Sequence, residues 1–137
     1  MIKENLKTVQ EHIKESIAKR HNAASEDVLL VAVTKNHDVT SMQEAIDAGA
    51  NVIGENRVQE ALQKHETLNR DVTWHLIGHL QTNKAKYAVK LFDMIESVDS
   101  IKLAEALNKE AQKIDKVQQV LVQVKFSQRK LQKLGFI

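Results

Sequence analysis

The chain has no cysteine, so disulfides and thiolate metal sites are excluded and nothing in it asks for an oxidising compartment. The cytoplasm is the default expectation. Only 4 glycines occur in 137 residues, and none builds the G-x-G-x-x-G turn that holds a dinucleotide phosphate after a first strand. No charge of one sign dominates either: 20 Lys and Arg stand against 18 Asp and Glu, a net of +2, mixed along the helical segments and not gathered into a basic stripe. Nucleic acid is therefore not an implied partner. Long apolar runs are also missing. Met1 to Arg20 carries Lys, Glu, His and Gln throughout and never forms the core of a signal peptide, and the longest uncharged stretch falls far short of the ~18 residues that span a bilayer. The expectation is a soluble chain without a membrane partner.

What is present suits a single domain. A hydrophobic share of 42% at this length can bury roughly two-thirds of the unfolded surface if the fold is complete. Ile2, Leu6, Val9, Ile13 and Ile17 recur at spacings of three and four, which predicts an amphipathic helix over 2–20 that packs as a flank or lid. The uninterrupted run Val28 to Thr34 predicts a buried parallel strand, covered on both faces. A helix over 40–48 follows, closed by Gly49 where a left-handed residue suits a helix end. Further along, the pattern predicts strands at 51–53, 72–77, 94–98 and 117–124. Between them it predicts helices from Glu55 or Asn56 to Leu68, over 82–91 and over 101–114.

The polar or flexible residues fall where strands end: Lys35, Gly54 to Asn56, Gly78 to Gln81, Ser97 to Ser100 and Lys125, spaced by about 19 to 28 residues. That spacing is one helix plus one strand. Alternation of this kind implies a parallel sheet with right-handed crossovers, either doubly wound or a (β/α)₈ barrel. Without the glycine fingerprint the barrel is favoured. Lys35, Asn56, His79 and Ser97 then stand at the carboxyl ends of consecutive strands, the face that bears the active site in barrels of this type. An amine partly buried at such a rim has its pKa lowered by desolvation and becomes a nucleophile towards a carbonyl, which makes an aldehyde cofactor or a carbonyl substrate the candidate ligand.

Other titratable residues suggest less. His75 and His79 have helical metal-ligand spacing, but Trp74 to Gly78 reads as strand and no third ligand is apparent, so no metal site is expected. His75 reads as a satisfied core histidine and His79 as a loop residue able to donate to a ring or phosphate. His12, His21 and His65 read as surface residues. Glu55 and Glu96 are candidate acids or bases, although capping a helix or pairing with a neighbouring Lys or Arg accounts for each more simply.

The strings Val-Ala-Val-Thr-Lys35, Ile-Gly-Glu-Asn56-Arg-Val-Gln-Glu60, Trp74-His-Leu-Ile-Gly-His79-Leu-Gln-Thr-Asn-Lys84 and Ser97-Val-Asp-Ser100 closely resemble the pyridoxal phosphate homeostasis proteins, in order and spacing. The barrel of that family is similar to the amino-terminal domain of alanine racemase. The resemblance implies that Lys35 carries pyridoxal 5′-phosphate (PLP) as a Schiff base and that Asn56, His79 and Ser97 line the cofactor end of the barrel. It implies a protein that binds, buffers or delivers PLP, with PLP-dependent apoenzymes as possible recipients and no robust catalysis of its own. A weak racemase-like enzyme is the lesser alternative, because related racemases need a second domain and a second base opposite the lysine.

The sequence departs from that family at its carboxyl end. Members have eight strands in more than about 200 residues. Here the segment 125–137 is basic where the family is acidic, and five of the eight strands are predicted. The expectation is an incomplete barrel: a partial PLP-binding domain at 1–124 with a flanking amino-terminal helix, then a divergent tail at 125–137 that a frameshift would explain. A truncated, inactive fragment is accordingly a further alternative, with the apolar edge of the fifth strand open to water.

Overall fold

The structure, a computed structural model, describes residues 1–20 and 28–125. His21 and the tail from Phe126 lie outside the described residues. Helix α1 (Ile2–Ala18) leads to strand β1 (Ala32–Val33), α2 (Val39–Asp47), β2 (Val52–Glu55), α3 (Val58–Leu68) and β3 (Thr73–Leu76). A single 3₁₀ turn (Thr82–Lys84) then precedes α4 (Ala85–Leu91), β4 (Met94–Val98), α5 (Ile101–Lys113) and β5 (Gln119–Val122). All the strands pair in parallel, in the order β1-β2-β3-β4-β5. This order decides the architecture. A doubly wound sheet reverses direction at a switch point, whereas a barrel adds each strand beside the last. The described residues thus form four consecutive βα units and a fifth strand of a barrel-type sheet.

Local chemistry explains most of the boundaries. Asp38 caps α2 by accepting the Ser41 N–H at 2.8 Å, and Ser100 caps α5 by accepting that of Leu103 at 3.1 Å. Gly49 takes φ +113° just after α2, as its position in the sequence suggests. At the end of α4, the Lys116 ammonium donates to the carbonyls of Val89 at 2.5 Å and Phe92 at 2.8 Å, a cation satisfying orphaned helix carbonyls. Burial holds the Lys116 pKa below its ordinary value, against the opposing pull of Asp93. The start of α3 differs from expectation. Glu55 ends β2 and does not open the helix, which begins at Val58.

The register fixes two faces. Glu55, Leu76, Ile95 and Val120 form one row across β2 to β5, while Val33, Gly54, His75, Met94 and Gln119 form the adjacent row and so face the other way. Ile53, Trp74, Leu76 and Ile95 pack with Met42, Ala61, Val89 and Leu107 from α2, α3, α4 and α5 in one core cluster. These helices therefore cover a single face. Residues such as Leu76, Ile95 and Phe92, each fully buried, contribute about 1.5–3 kcal/mol apiece. The opposite face, which would line the barrel interior, is partly open, and Val33 on it is 49% exposed.

The largest correction concerns the run from Val28 to Thr34. Only Ala32 and Val33 enter the sheet, and Val28 and Leu29 are exposed. A strand is buried on both faces only where a layer covers each, and the interior face that carries Val33 is open. Among the described strands, β1 has β2 alone. Helix α1 does pack as a flank, against α2, but only with a half-buried stripe of Ile2, Leu6, Gln10, Ile13 and Ile17. Cavities of about 440 and 300 Å³ remain between α1 and the 28–34 segment. At the other edge, all four residues of β5 are exposed.

Candidate functional site at the carboxyl ends of the strands

Beyond β1, Thr34 continues the ladder by donating its N–H to the Gly54 carbonyl at 3.0 Å, and the chain then turns sharply. Asn36 adopts φ +63°, a left-handed conformation that asparagine tolerates better than most residues, and the His37 N–H closes the turn on the Thr34 carbonyl at 3.1 Å. Lys35 occupies this turn and is exposed, so the partial burial expected of it is not present. The physical reason is the open interior face. Nothing among the described residues stands opposite β1 to take the side chain out of water.

Asn56 is half-buried and lies against Gly78: a Cβ at residue 78 would collide with both the side-chain and main-chain oxygens of Asn56. Gly78 thus permits two loops to touch. Lys35 lies in the turn just beyond β1 and Asn56 one residue beyond β2, at the ends of two strands that pair through Val33 and Gly54. His79 follows Gly78 and is exposed, with Nδ1 3.7 Å from Asp99 Oδ2. Ser97 is placed differently. It is buried with its hydroxyl unpartnered, in a β4 segment where the register with β5 slips between Ile95 and Val98. That irregularity sends both Ile95 and Val98, three residues apart, into the helix-side core. The structure therefore puts Lys35 and Asn56 at the carboxyl ends of adjacent strands and Gly78 against Asn56. It sets His79 outward in the loop and Ser97 inward.

Two expectations about acids are resolved here. His75 is buried, and its Nδ1 lies 2.7 Å from Glu96 Oε1, so His75 is a satisfied interior histidine and Glu96 pairs with a histidine instead of with Lys or Arg. Glu55, fully buried, accepts from the Thr34 hydroxyl at 2.7 Å and from Lys64 Nζ at 2.7 Å, while its Oε2 has no partner. His12 and His65 are exposed, the latter tilted against Trp74 with ring centroids 5.4 Å apart. Among the described residues no group of three metal-ligating side chains is assembled, and no helix is long and apolar enough to cross a membrane.

Sequence reasoning missed Lys64. Its ammonium uses all three protons: to the Thr34 carbonyl at 2.8 Å, to Glu55 Oε1 at 2.7 Å and to Glu60 Oε1 at 2.8 Å. Burial alone lowers the Lys64 pKa, but hydrogen bonds to Glu55 and Glu60 and their charges outweigh it, and the net direction is upward. Lys64, with the Asn36 N–H second, holds Glu60 below its ordinary value. A signal was available. Lys64 falls on the same helical stripe as Val58, Ala61 and Leu68, and a lysine on an apolar stripe demands a buried counter-ion.

Sequential parallel winding and one helix-covered face define a barrel-type α/β protein, with a polar rim at the strand carboxyl ends. Residues 2–136 match the family described as alanine racemase, N-terminal domain, and the chain belongs to it. A pyridoxal phosphate homeostasis protein of Synechocystis is 43% identical over 100 residues, covering 72% of this chain and 46% of the relative. One from Pasteurella multocida is 36% identical over 131 residues, covering 92% and 55%. Among solved structures, PipY of Synechococcus elongatus with PLP bound aligns at a TM-score of 0.80 and 38% identity, over 97% of this chain and 61% of that one. The chain thus spans about half the length of the curated relatives it matches.

Proposed function

We propose that the chain binds pyridoxal 5′-phosphate through Lys35, as a non-catalytic cofactor-handling protein of the cytoplasm, with residues 1–124 as the binding unit. The observation that carries this reading is the placement of Lys35: an exposed amine at the carboxyl end of β1, beside the end of β2 that leads to Asn56, in a chain similar to a protein solved with PLP bound. The residues present fit the aldehyde end of the cofactor, since the amine is accessible and its turn is held by hydrogen bonds on both sides. Bound there, PLP supplies an electrophilic carbonyl carbon to which an amine adds covalently. Asn56, positioned by its contact with Gly78, and His79, exposed in the loop beside Asp99, are the groups that would orient the ring or phosphate from this chain. PLP-dependent apoenzymes are the recipients this reading implies.

The test is reductive trapping. Borohydride treatment of the purified chain with PLP should leave the adduct on Lys35, found by peptide mass spectrometry, and Lys35→Ala should abolish it. An adduct spread evenly over the other lysines, unchanged in Lys35→Ala, would overturn the assignment and favour an inactive fragment.

A further inference from the structure

The two peptide groups that flank Lys35 are gripped by one ion pair. On the amino side, the Thr34 carbonyl accepts from Lys64 Nζ at 2.8 Å; on the carboxyl side, the Asn36 N–H donates to Glu60 Oε1 at 2.8 Å. Glu60 and Lys64 are themselves joined at 2.8 Å, one turn apart on α3, with the glutamate amino-terminal to the lysine as helix geometry favours. Behind them stands Glu55, fully buried, which binds both Lys64 and the Thr34 hydroxyl. The reactive amine is exposed and makes no part of this network. The network holds the backbone on which that amine is carried.

We infer that Glu60 and Lys64 are positioning residues for Lys35: they fix the left-handed turn at Asn36 and thereby aim the Lys35 side chain at an incoming aldehyde. Three observations support the assignment beyond ordinary stability. The turn carries a left-handed residue, and the peptide groups on both sides of Lys35 are hydrogen-bonded to this one pair of side chains. Glu60 is partly exposed and could have been solvated at no loss to the core, yet it spends one oxygen on both Lys64 and the Asn36 N–H. Lys64 brings a charge into the helix-side core, which apolar packing would not require. Orientation matters for such a reaction, since a small misplacement of a nucleophile can cost about 10²-fold in rate.

The inference rests on Lys35 being the aldehyde-reactive lysine, and the experiment separates the two claims. The wild-type chain, Glu60→Ala, Glu60→Gln and Lys64→Met are each treated with limiting PLP and cyanoborohydride, and the share of label on Lys35 is measured against all other lysines. Amide exchange at Asn36 is followed in the same samples. Glu60→Ala should lower the Lys35 preference by about 10-fold and speed Asn36 exchange, because one charge-assisted hydrogen bond is lost. Glu60→Gln keeps a carbonyl acceptor at the same place and should restore most of the preference, a rescue that a purely structural role for the charge would not give. Selective labelling in wild type that persists unchanged in Glu60→Ala and Lys64→Met would overturn the positioning role and leave the binding role of Lys35 standing. Unselective labelling in wild type would overturn both. Should Lys64→Met fail to fold, the pair of Glu60 variants decides the matter alone.

Discussion

His75 and Glu96 meet across β3 and β4 on the barrel-interior face, with Nδ1 and Oε1 2.7 Å apart. The histidine is almost wholly removed from water and the glutamate partly so, on a face that also carries Val33, Gly54, Met94 and Gln119. Removing one member leaves the other desolvated without its partner.

Glu96→Ala is therefore expected to destabilise the chain by about 1–3 kcal/mol, and Glu96→Gln by less, since the amide keeps a polar partner for the ring. Denaturant unfolding of the two variants beside wild type checks the order. Equal stability of Glu96→Ala and wild type would show that water replaces the carboxylate without loss.

Gly78→Ala should disturb the rim more than its single methyl group suggests. The added carbon collides with two oxygens of Asn56, one of them main-chain, so the β3 end or the β2 end must shift. A cost of about 1–3 kcal/mol is expected from such overpacking, with chemical-shift changes centred on Asn56. Unchanged Asn56 resonances would refute the contact.

Stability should fall at both extremes of pH through the Lys64 cluster. Glu60 is held below its ordinary 4.5, so its contribution is complete above pH 4.5 and is lost as pH falls through the lower folded-state value. Lys64 is raised above its ordinary 10.5, so its contribution is complete below that value and is lost as pH rises through the higher folded-state value. Melting curves of wild type and Glu60→Gln should therefore converge in acid and separate near neutrality. Parallel curves across the acid range would contradict the linkage.

PLP binding by this chain alone is expected to be weaker than by a longer relative. In barrels of this type the phosphate rests on loops after the seventh and eighth strands, whereas the described residues carry β1 to β5. Each missing charge-assisted hydrogen bond removes about 1.5–3 kcal/mol, so affinity should drop by orders of magnitude. Spectroscopic titration against PipY measures this, and tight stoichiometric binding would show that the phosphate finds another cradle.

The chain on its own is also expected to self-associate through β5. Val120, Leu121 and Val122 are exposed on a strand whose outer edge has no neighbour among the described residues, and Val117 and Val124 beside it are exposed as well. Sedimentation should show dimers or larger species, and Leu121→Lys should shift them towards monomer. A monodisperse wild-type monomer with slow amide exchange over 119–122 would refute this.

The alternation of helices and strands, the cap at Gly49 and the polar strand ends were all legible in the sequence because each depends on periodicity or on the backbone preference of a single residue. The motif carried by Lys35, Asn56 and His79 was legible for the same reason, since its spacing is that of the repeated unit. Burial was not. The run from Val28 to Thr34 is as apolar as any interior strand, yet exposure depends on what packs against each face, and the interior face that carries Val33 is open while Thr34 on the helix side is buried. The sequence likewise puts Glu55, Glu60 and Lys64 within one short segment, but only the packing of α3 on β2 turns them inward to meet the Thr34 carbonyl and the Asn36 N–H. Local pattern determined what the elements are. Long-range pairing decided which of their charges are desolvated, because desolvation is a property of everything that surrounds a group and not of its neighbours in the chain.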